Sequence, residues 1–301
     1  MFCPECGTTS KDGAKFCYNC GYDLTSIGAQ DDAPASPARK PSAKKSLPSE
    51  TNDGFVLVEG GSFRMGSEDN DDERPVHGVT LDSFYICDHP VTQKEYVKVM
   101  GNNPSKFEGK ERPVECVSWY DAVEYCNALS KMAGLTPCYD IDKDNEDPDN
   151  ENVSHHAKWT VTCDFTANGY RLPTESEWEF AARGGNESEG YEYSGSDGID
   201  DVAWYAGNSD KETHSVKENE PNELGLYDMS GNVWEWCWDW YGDYPSGSKT
   251  NPVGASSGKG RVDRGGCWFN NSGFCRVAYR CCSNPYRRYY FLGFRLVRSA
   301  K

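Results

Sequence analysis

Four cysteines near the N-terminus have the spacing of metal ligands. Cys3 and Cys6, then Cys17 and Cys20, form two C-x2-C pairs, each followed by a glycine, Gly7 and Gly21. A glycine after each pair lets backbone amides fold around a thiolate, and the ten residues between the pairs suit one tetrahedral zinc. Four protein ligands leave no open position for catalysis, so this zinc is structural and its binding must supply the folding energy of so short a piece. Residues 1–25 therefore read as a zinc ribbon that acts as an interaction module for a protein partner. The other ten of the fourteen cysteines are expected to be thiols. No export signal precedes Met1-Phe2-Cys3-Pro4 and no run is long and apolar enough for a membrane span, which points to the cytoplasm.

Composition narrows the partners. A net charge of -17 over 301 residues argues against a nucleic-acid-binding surface, because like charges repel the phosphates. The charge is uneven, however. Between Gly265 and Ala300 there is no Asp or Glu, while Arg276, Arg280, Arg287, Arg288, Arg295 and Arg298 are all present.

The elements that position these groups are legible in outline. Residues 26–53 are rich in Ser, Ala, Pro and Asp, and read as a disordered linker. Residues 54–301 form the main domain. Capping boxes at Thr92 with Glu95, Ser118 with Asp121 and Thr174 with Glu177 predict three helices, with Gly101 and Gly184 as stops. The acidic stretch 140–157 lacks the glycine and terminal Glu of a calcium-binding EF-hand loop and reads as a solvated insertion. Trp234, Trp236, Trp238 and Trp240 alternate with Glu235, Cys237 and Asp239, the period of a core strand. Short strands and many Gly, Asn, Asp and Pro turns make this an α+β, loop-rich domain.

Several stretches together resemble the formylglycine-generating enzyme, or sulfatase-modifying factor, family: VEGGSFRMGS at 58–67, PVTQKEY at 90–96, YRLPTESEWE at 170–179, LGLYDMSGNVWEW at 224–236, RGG at 264–266 and GFR at 293–295. The resemblance implies that family's C-type-lectin-like fold. It also implies a calcium site at Asp228, Gly231, Val233 and Glu235, the first and last through side chains and the others through backbone oxygens; hard oxygen donors suit calcium. The family's oxidases convert a client cysteine to formylglycine with copper(I) held by a C-x4-C pair. Cys275 matches the second member of that pair, and it is the residue on which an oxidase reading would rest. Asn270 stands at the first position, and its hard amide oxygen is a poor copper(I) ligand. Copper is therefore not expected. Cys267, Cys281 and Cys282 lie at other spacings, and no histidine follows His214 to act as a nearby base.

The segment 265–298 also resembles the variable region of diversity-generating-retroelement proteins that use this fold for display. In those systems AAC codons become NNC, which excludes Lys, Glu, Gln, Met and Trp. From Gly265 to Ala300 the first four are absent, and the one Trp, Trp268, belongs to the scaffold. The candidate ligand-binding positions are Phe269, Asn270, Ser272, Phe274, Tyr279, Cys281, Cys282, Ser283, Tyr286, Arg288, Tyr289, Tyr290 and Phe291. Tyrosine and arginine on irregular backbone offer rigid contact area with polar tips. The expected partner is a protein or other macromolecular ligand, met by exposed rings at Tyr286, Tyr289, Tyr290 and Phe291.

Overall fold

The computed structural model describes residues 54–153 and 157–300. The expected zinc ligands Cys3, Cys6, Cys17 and Cys20 and the linker 26–53 lie outside the described residues.

Three capped helices appear where the sequence places them. They are α1 (Gln93–Met100), α2 (Trp119–Met132) and α3 (Glu175–Ala182), each opened by a complete capping box from Thr92, Ser118 or Thr174. Both halves of the box satisfy amides that a helix start leaves unbonded. Gly101 ends α1 and Gly184 follows α3, both in the left-handed conformation. A fourth, single-turn helix is α4 (Ile199–Val202).

Strand β1 (Phe55–Val58) pairs antiparallel with β4 (Phe84–Cys87), which also pairs with β14 (Val297–Ser299). Strand β2 (Gly61–Met65) pairs with β3 (His77–Leu81), and β3 also pairs with β10 (Lys249–Thr250). A four-stranded sheet holds β12 (Arg280–Ser283), β11 (Arg261–Arg264), β9 (Trp234–Trp240) and β13 (Leu292–Gly293) in that order. The two-residue strands β7 (Ala203–Trp204) and β8 (Ser230–Gly231) form a small ladder.

The acidic stretch, expected to be a solvated insertion, begins as a largely exposed strand, β5 (Tyr139–Glu146), which pairs with β6 (Trp159–Cys163). Tyr139 and Val161 are buried while Asp140, Asp144 and Glu146 are exposed, so a few apolar anchors suffice to fix a hairpin of acidic composition.

Strand β9 departs from simple alternation because both of its faces are covered. Trp234, Trp236 and Trp240 are buried, and so are Glu235, Cys237 and Asp239 between them. Trp119 Nε1 donates to Cys237 O at 2.9 Å and Trp236 Nε1 to Val117 O at 3.1 Å, which ties α2 to the sheet and satisfies the indoles. Polar groups on the other face form a buried ionic layer with α3. Glu175 accepts from Arg280 Nε and Nη2, each at 2.7 Å, and from Arg264 Nη1 at 3.0 Å; Arg264 Nη2 donates to Glu179 at 2.5 Å. Burial alone would raise the Glu175 carboxyl, but Arg280 and Arg264 outweigh it and hold it below the ordinary range.

Asp239 lies in the same layer without a guanidinium of its own, accepting from the Glu175 amide at 2.9 Å. Burial, reinforced by the Glu175 charge, pushes its carboxyl up to about 8. Its folded value lies above the ordinary unfolded value of about 3.9. Folding therefore takes up a proton between those values, and stability falls as pH rises through that window. Asp239→Asn is expected to flatten the decline in melting temperature between pH 5 and pH 8; an unchanged decline would assign it to other groups.

Candidate binding surface and the metal positions

The C-terminal segment leaves the four-stranded sheet at Gly265-Gly266 and returns to it at Gly293. Gly266 has φ +72°, and a Cβ there would lie 2.7 Å from Cys275 Sγ and 2.9 Å from Phe274 O. At Gly293 a Cβ would lie 2.4 Å from Val114 O. Neither position accepts a side chain without moving its neighbour.

Between these two points the basic segment is neutralised by carboxylates from distant parts of the chain. Arg276 Nη2 meets Glu73 Oε1 at 2.6 Å, Arg280 is held by Glu175, and Arg288 Nε meets Asp121 Oδ2 at 2.7 Å. Beyond Gly293, Arg295 forms a fully buried two-point pair with Glu235, both contacts at 2.6 Å. The absence of acidic residues in this stretch is thus no sign of an unpaired basic patch. Four of its six arginines serve as ion-paired anchors.

Backbone contacts hold the loop between β12 and β13 against the start of α2. The Cys116 amide donates to Tyr289 O at 2.8 Å and the Trp119 amide to Pro285 O at 3.0 Å. On this frame sits a continuous set of rings. Phe291 is its hub: Tyr289 stacks on it at 4.8 Å between centroids, while Phe269 meets it edge-on at 4.9 Å and Tyr290 at 5.5 Å. Phe274 and Tyr279 form a second pair at 4.8 Å.

The predicted surface residues separate by burial. Phe269, Ser272, Phe274, Tyr279, Cys281, Cys282, Tyr286, Tyr289 and Tyr290 are half-buried, and Arg288 is exposed. The expectation of four exposed rings is corrected: Tyr286, Tyr289 and Tyr290 are half-buried against their neighbours, and Phe291, 5% exposed, packs against Phe269, Tyr289 and Tyr290. Asn270 and Ser283 are also buried, so none of these three offers side-chain surface to a ligand. Sequence reasoning missed two members outside the segment. Phe107 meets Trp268 edge-on at 5.3 Å, and Lys106 Nζ lies 4.0 Å above the Tyr290 ring. Only contact across more than 150 residues brings them here, and no local signal announces it.

The copper positions are not prepared for a soft metal. Asn270 Oδ1 accepts from the Cys267 amide at 3.1 Å and from the Cys267 thiol at 2.9 Å, closing a tight turn. Cys275 is fully buried beside Tyr193 and Val202, and burial pushes its thiol up to about 12. A thiol in that state is a poor nucleophile and ligand.

The two side-chain donors expected for calcium accept hydrogen bonds within the protein. Both Glu235 oxygens accept from Arg295, and Oε2 also accepts from Trp178 Nε1 at 2.7 Å. Asp228 Oδ2 accepts from the Lys217 amide at 2.9 Å and Oδ1 from Asn232 Nδ2 at 3.2 Å, while burial raises its carboxyl. The two side-chain donors expected for calcium, Asp228 and Glu235, are thus hydrogen-bonded within the protein, Glu235 through a guanidinium on both oxygens.

Fold and surface together define a loop-rich, C-type-lectin-like α+β scaffold that carries a ring-lined face on irregular backbone. Residues 40–300 match the sulfatase-modifying factor enzyme 1-like domain, and residues 2–24 match a zinc-ribbon domain. The chain belongs to the sulfatase-modifying factor enzyme 1-like family. It is 45% identical over 245 residues to the chaperone protein LppX of Paenibacillus barcinonensis, covering 76% of this chain and 83% of that protein. It is 30% identical to the formylglycine-generating enzyme of Thermomonospora curvata, over 82% of this chain and 94% of that enzyme. The structure superposes on Treponema denticola variable protein 1 with a TM-score of 0.74 and 38% identity, covering 81% and 94% of the two chains. The serine/threonine-protein kinase pkn1 of Chlamydia pneumoniae is 34% identical, but the chain spans only 35% of its length. Among the described residues no helix is long and apolar enough to cross a membrane.

Proposed function

We propose that this protein binds a protein ligand through the ring-lined face, on a scaffold inherited from the formylglycine-generating family but without that family's oxidase chemistry. One observation carries the reading. Where a copper pair would stand, Asn270 is spent on closing a turn and Cys275 is buried, whereas the rings around Phe291 reach a half-exposed surface. Tyrosine supplies large contact area at small entropic cost, which suits a recognition surface.

Likeness to a protein named as variable supports a scaffold whose surface residues differ between copies, and likeness to a relative named as a chaperone supports a protein ligand. The interchangeable residue types at Phe269, Ser272, Phe274, Tyr279, Cys281, Cys282, Tyr286, Tyr289 and Tyr290 fit a segment diversified by a retroelement. The zinc ribbon at Cys3, Cys6, Cys17 and Cys20 then links this module to a second protein in the cytoplasm.

The oxidase reading has a direct test. Incubated with copper, reductant and a sulfatase-derived cysteine peptide, the protein is expected to leave the thiol unchanged by mass spectrometry. Copper-dependent formation of the aldehyde would overturn the assignment and place the chemistry at Cys275.

A further inference from the structure

A second cluster of metal-ligating side chains lies away from the ring-lined face, at the turn between β4 and α1. Cys87, Asp88 and His89 bring one sulfur, one carboxylate oxygen and one ring nitrogen within 4.8 Å of one another. Cys87 and Asp88 are buried and His89 is largely so. From these residues we infer a binding site for zinc, or a similar borderline divalent cation, formed by Cys87 Sγ, Asp88 Oδ1 and His89 Nδ1.

Zinc bonds of about 2.0–2.3 Å set tetrahedral donors about 3.3–3.8 Å apart, and Cys87 Sγ lies at that spacing, 3.8 Å from His89 Nδ1. Asp88 Oδ1 is hydrogen-bonded to the same nitrogen, closer than two ligands of one zinc, so a cation enters by replacing the shared proton and parting that pair. A sulfur, an imidazole and a carboxylate together suit zinc better than calcium or magnesium.

The surroundings also match what a metal site requires. The far side of the imidazole, Nε2, lies 3.4 Å from Glu95 Oε2, within ion-pair distance, so a carboxylate stands behind the ring on the side away from Cys87 Sγ and Asp88 Oδ1. Such carboxylate–histidine contacts fix ring orientation around bound metals. Glu95 is itself held by the Thr92 amide at 2.8 Å as part of the α1 capping box. Lys217 Nζ donates to Asp88 Oδ2 at 2.6 Å, which occupies one carboxylate oxygen and leaves Oδ1 for the cation.

Two carboxylates, Asp88 and Glu95, stand beside the position a divalent cation would take, and ligation by the sulfur requires that the Cys87 thiol give up its proton. Three protein ligands leave the fourth tetrahedral position to water or an incoming donor.

The test uses the full chain with Cys3, Cys6, Cys17 and Cys20 replaced by serine, so that ribbon zinc cannot contribute. After incubation with zinc under reducing conditions and removal of free metal, about one equivalent per chain is expected to remain. Cobalt in place of zinc is expected to give a thiolate-to-cobalt charge-transfer band. Cys87→Ser should abolish that band, and His89→Gln should lower retained zinc to under about a tenth of an equivalent. His89→Gln keeps a hydrogen-bonding side chain beside Asp88 and Glu95, and its circular dichroism reports whether the fold persists. Failure of the ribbon-free chain to retain zinc or to give the cobalt band, or retention by a folded His89→Gln variant, overturns the site.

Discussion

Glu175→Ala is expected to destabilise the domain by about 3–5 kcal/mol, because it removes the carboxylate shared by two buried guanidiniums. Arg264 and Glu175 are both almost fully buried, and Tyr244 Oη donates to the same oxygen at 3.1 Å. Arg264 keeps a second partner in Glu179, so the larger loss falls on Arg280. Arg280 would retain the carbonyls of Asp72 and Gly242, at 3.2 and 2.8 Å, and the faces of Tyr241 and Tyr244, none of which carries the negative charge that neutralises it. With about 2–4 °C of melting temperature lost per kcal/mol in a domain of this size, the shift is roughly 6–20 °C. Glu175→Gln keeps the shape and removes the charge, and should lose nearly as much. A thermal melt showing less than about 1 kcal/mol of loss for both variants would mean that the pair is neutral in net effect, as some buried ion pairs are. The result bears on function because Arg280 opens β12 inside the binding segment. A surface that tolerates many side chains needs anchors that do not vary.

That anchoring marks the boundary of what the sequence makes legible. Capping boxes are local, so Thr92, Ser118 and Thr174 announce α1, α2 and α3 correctly. The tryptophan alternation of β9 is also local and identifies a strand. Whether its second face is buried depends on α3 and the arginines of β11 and β12, which no strand period encodes. The same applies to the basic C-terminal segment. In isolation it suggests an unpaired positive patch, but Arg276 finds Glu73 across 203 residues and Arg280 finds Glu175 across 105. Glu235 likewise looks like a free oxygen donor until Arg295, sixty residues on, pairs with both oxygens. Composition draws attention to the rings of 269–291, but does not tell Phe291, which is buried, from Tyr289 and Tyr290, which are half-buried. Lys106 and Phe107 enter the face from the loop after α1, and Cys87, Asp88 and His89 are ordinary strand-end residues until Glu95 and Lys217 surround them.

Joint replacement of Tyr286, Tyr289 and Tyr290 by alanine is expected to weaken binding at least about a hundredfold for a protein ligand selected against this face. Truncating a hot-spot ring costs about 1–4 kcal/mol of affinity, and each 1.4 kcal/mol is tenfold. The three rings are half-buried, so part of their area is available to a partner. Tyr290 also carries Lys106 above its face, an arrangement that adds a cation to the contact. Their loss should leave the fold intact, with each ring costing about 1 kcal/mol of stability through its contact with Phe291 or its neighbours. Phe291→Ala is the contrasting variant. Its ring is 5% exposed and touches Phe269, Tyr289 and Tyr290, so removal leaves a cavity and should cost about 3–5 kcal/mol of folding stability. Calorimetric melting and surface plasmon resonance on the same samples separate the two effects. Unchanged affinity in the folded triple variant would remove the tyrosines from recognition, and a Phe291→Ala protein as stable as its parent would mean that the hub supports nothing.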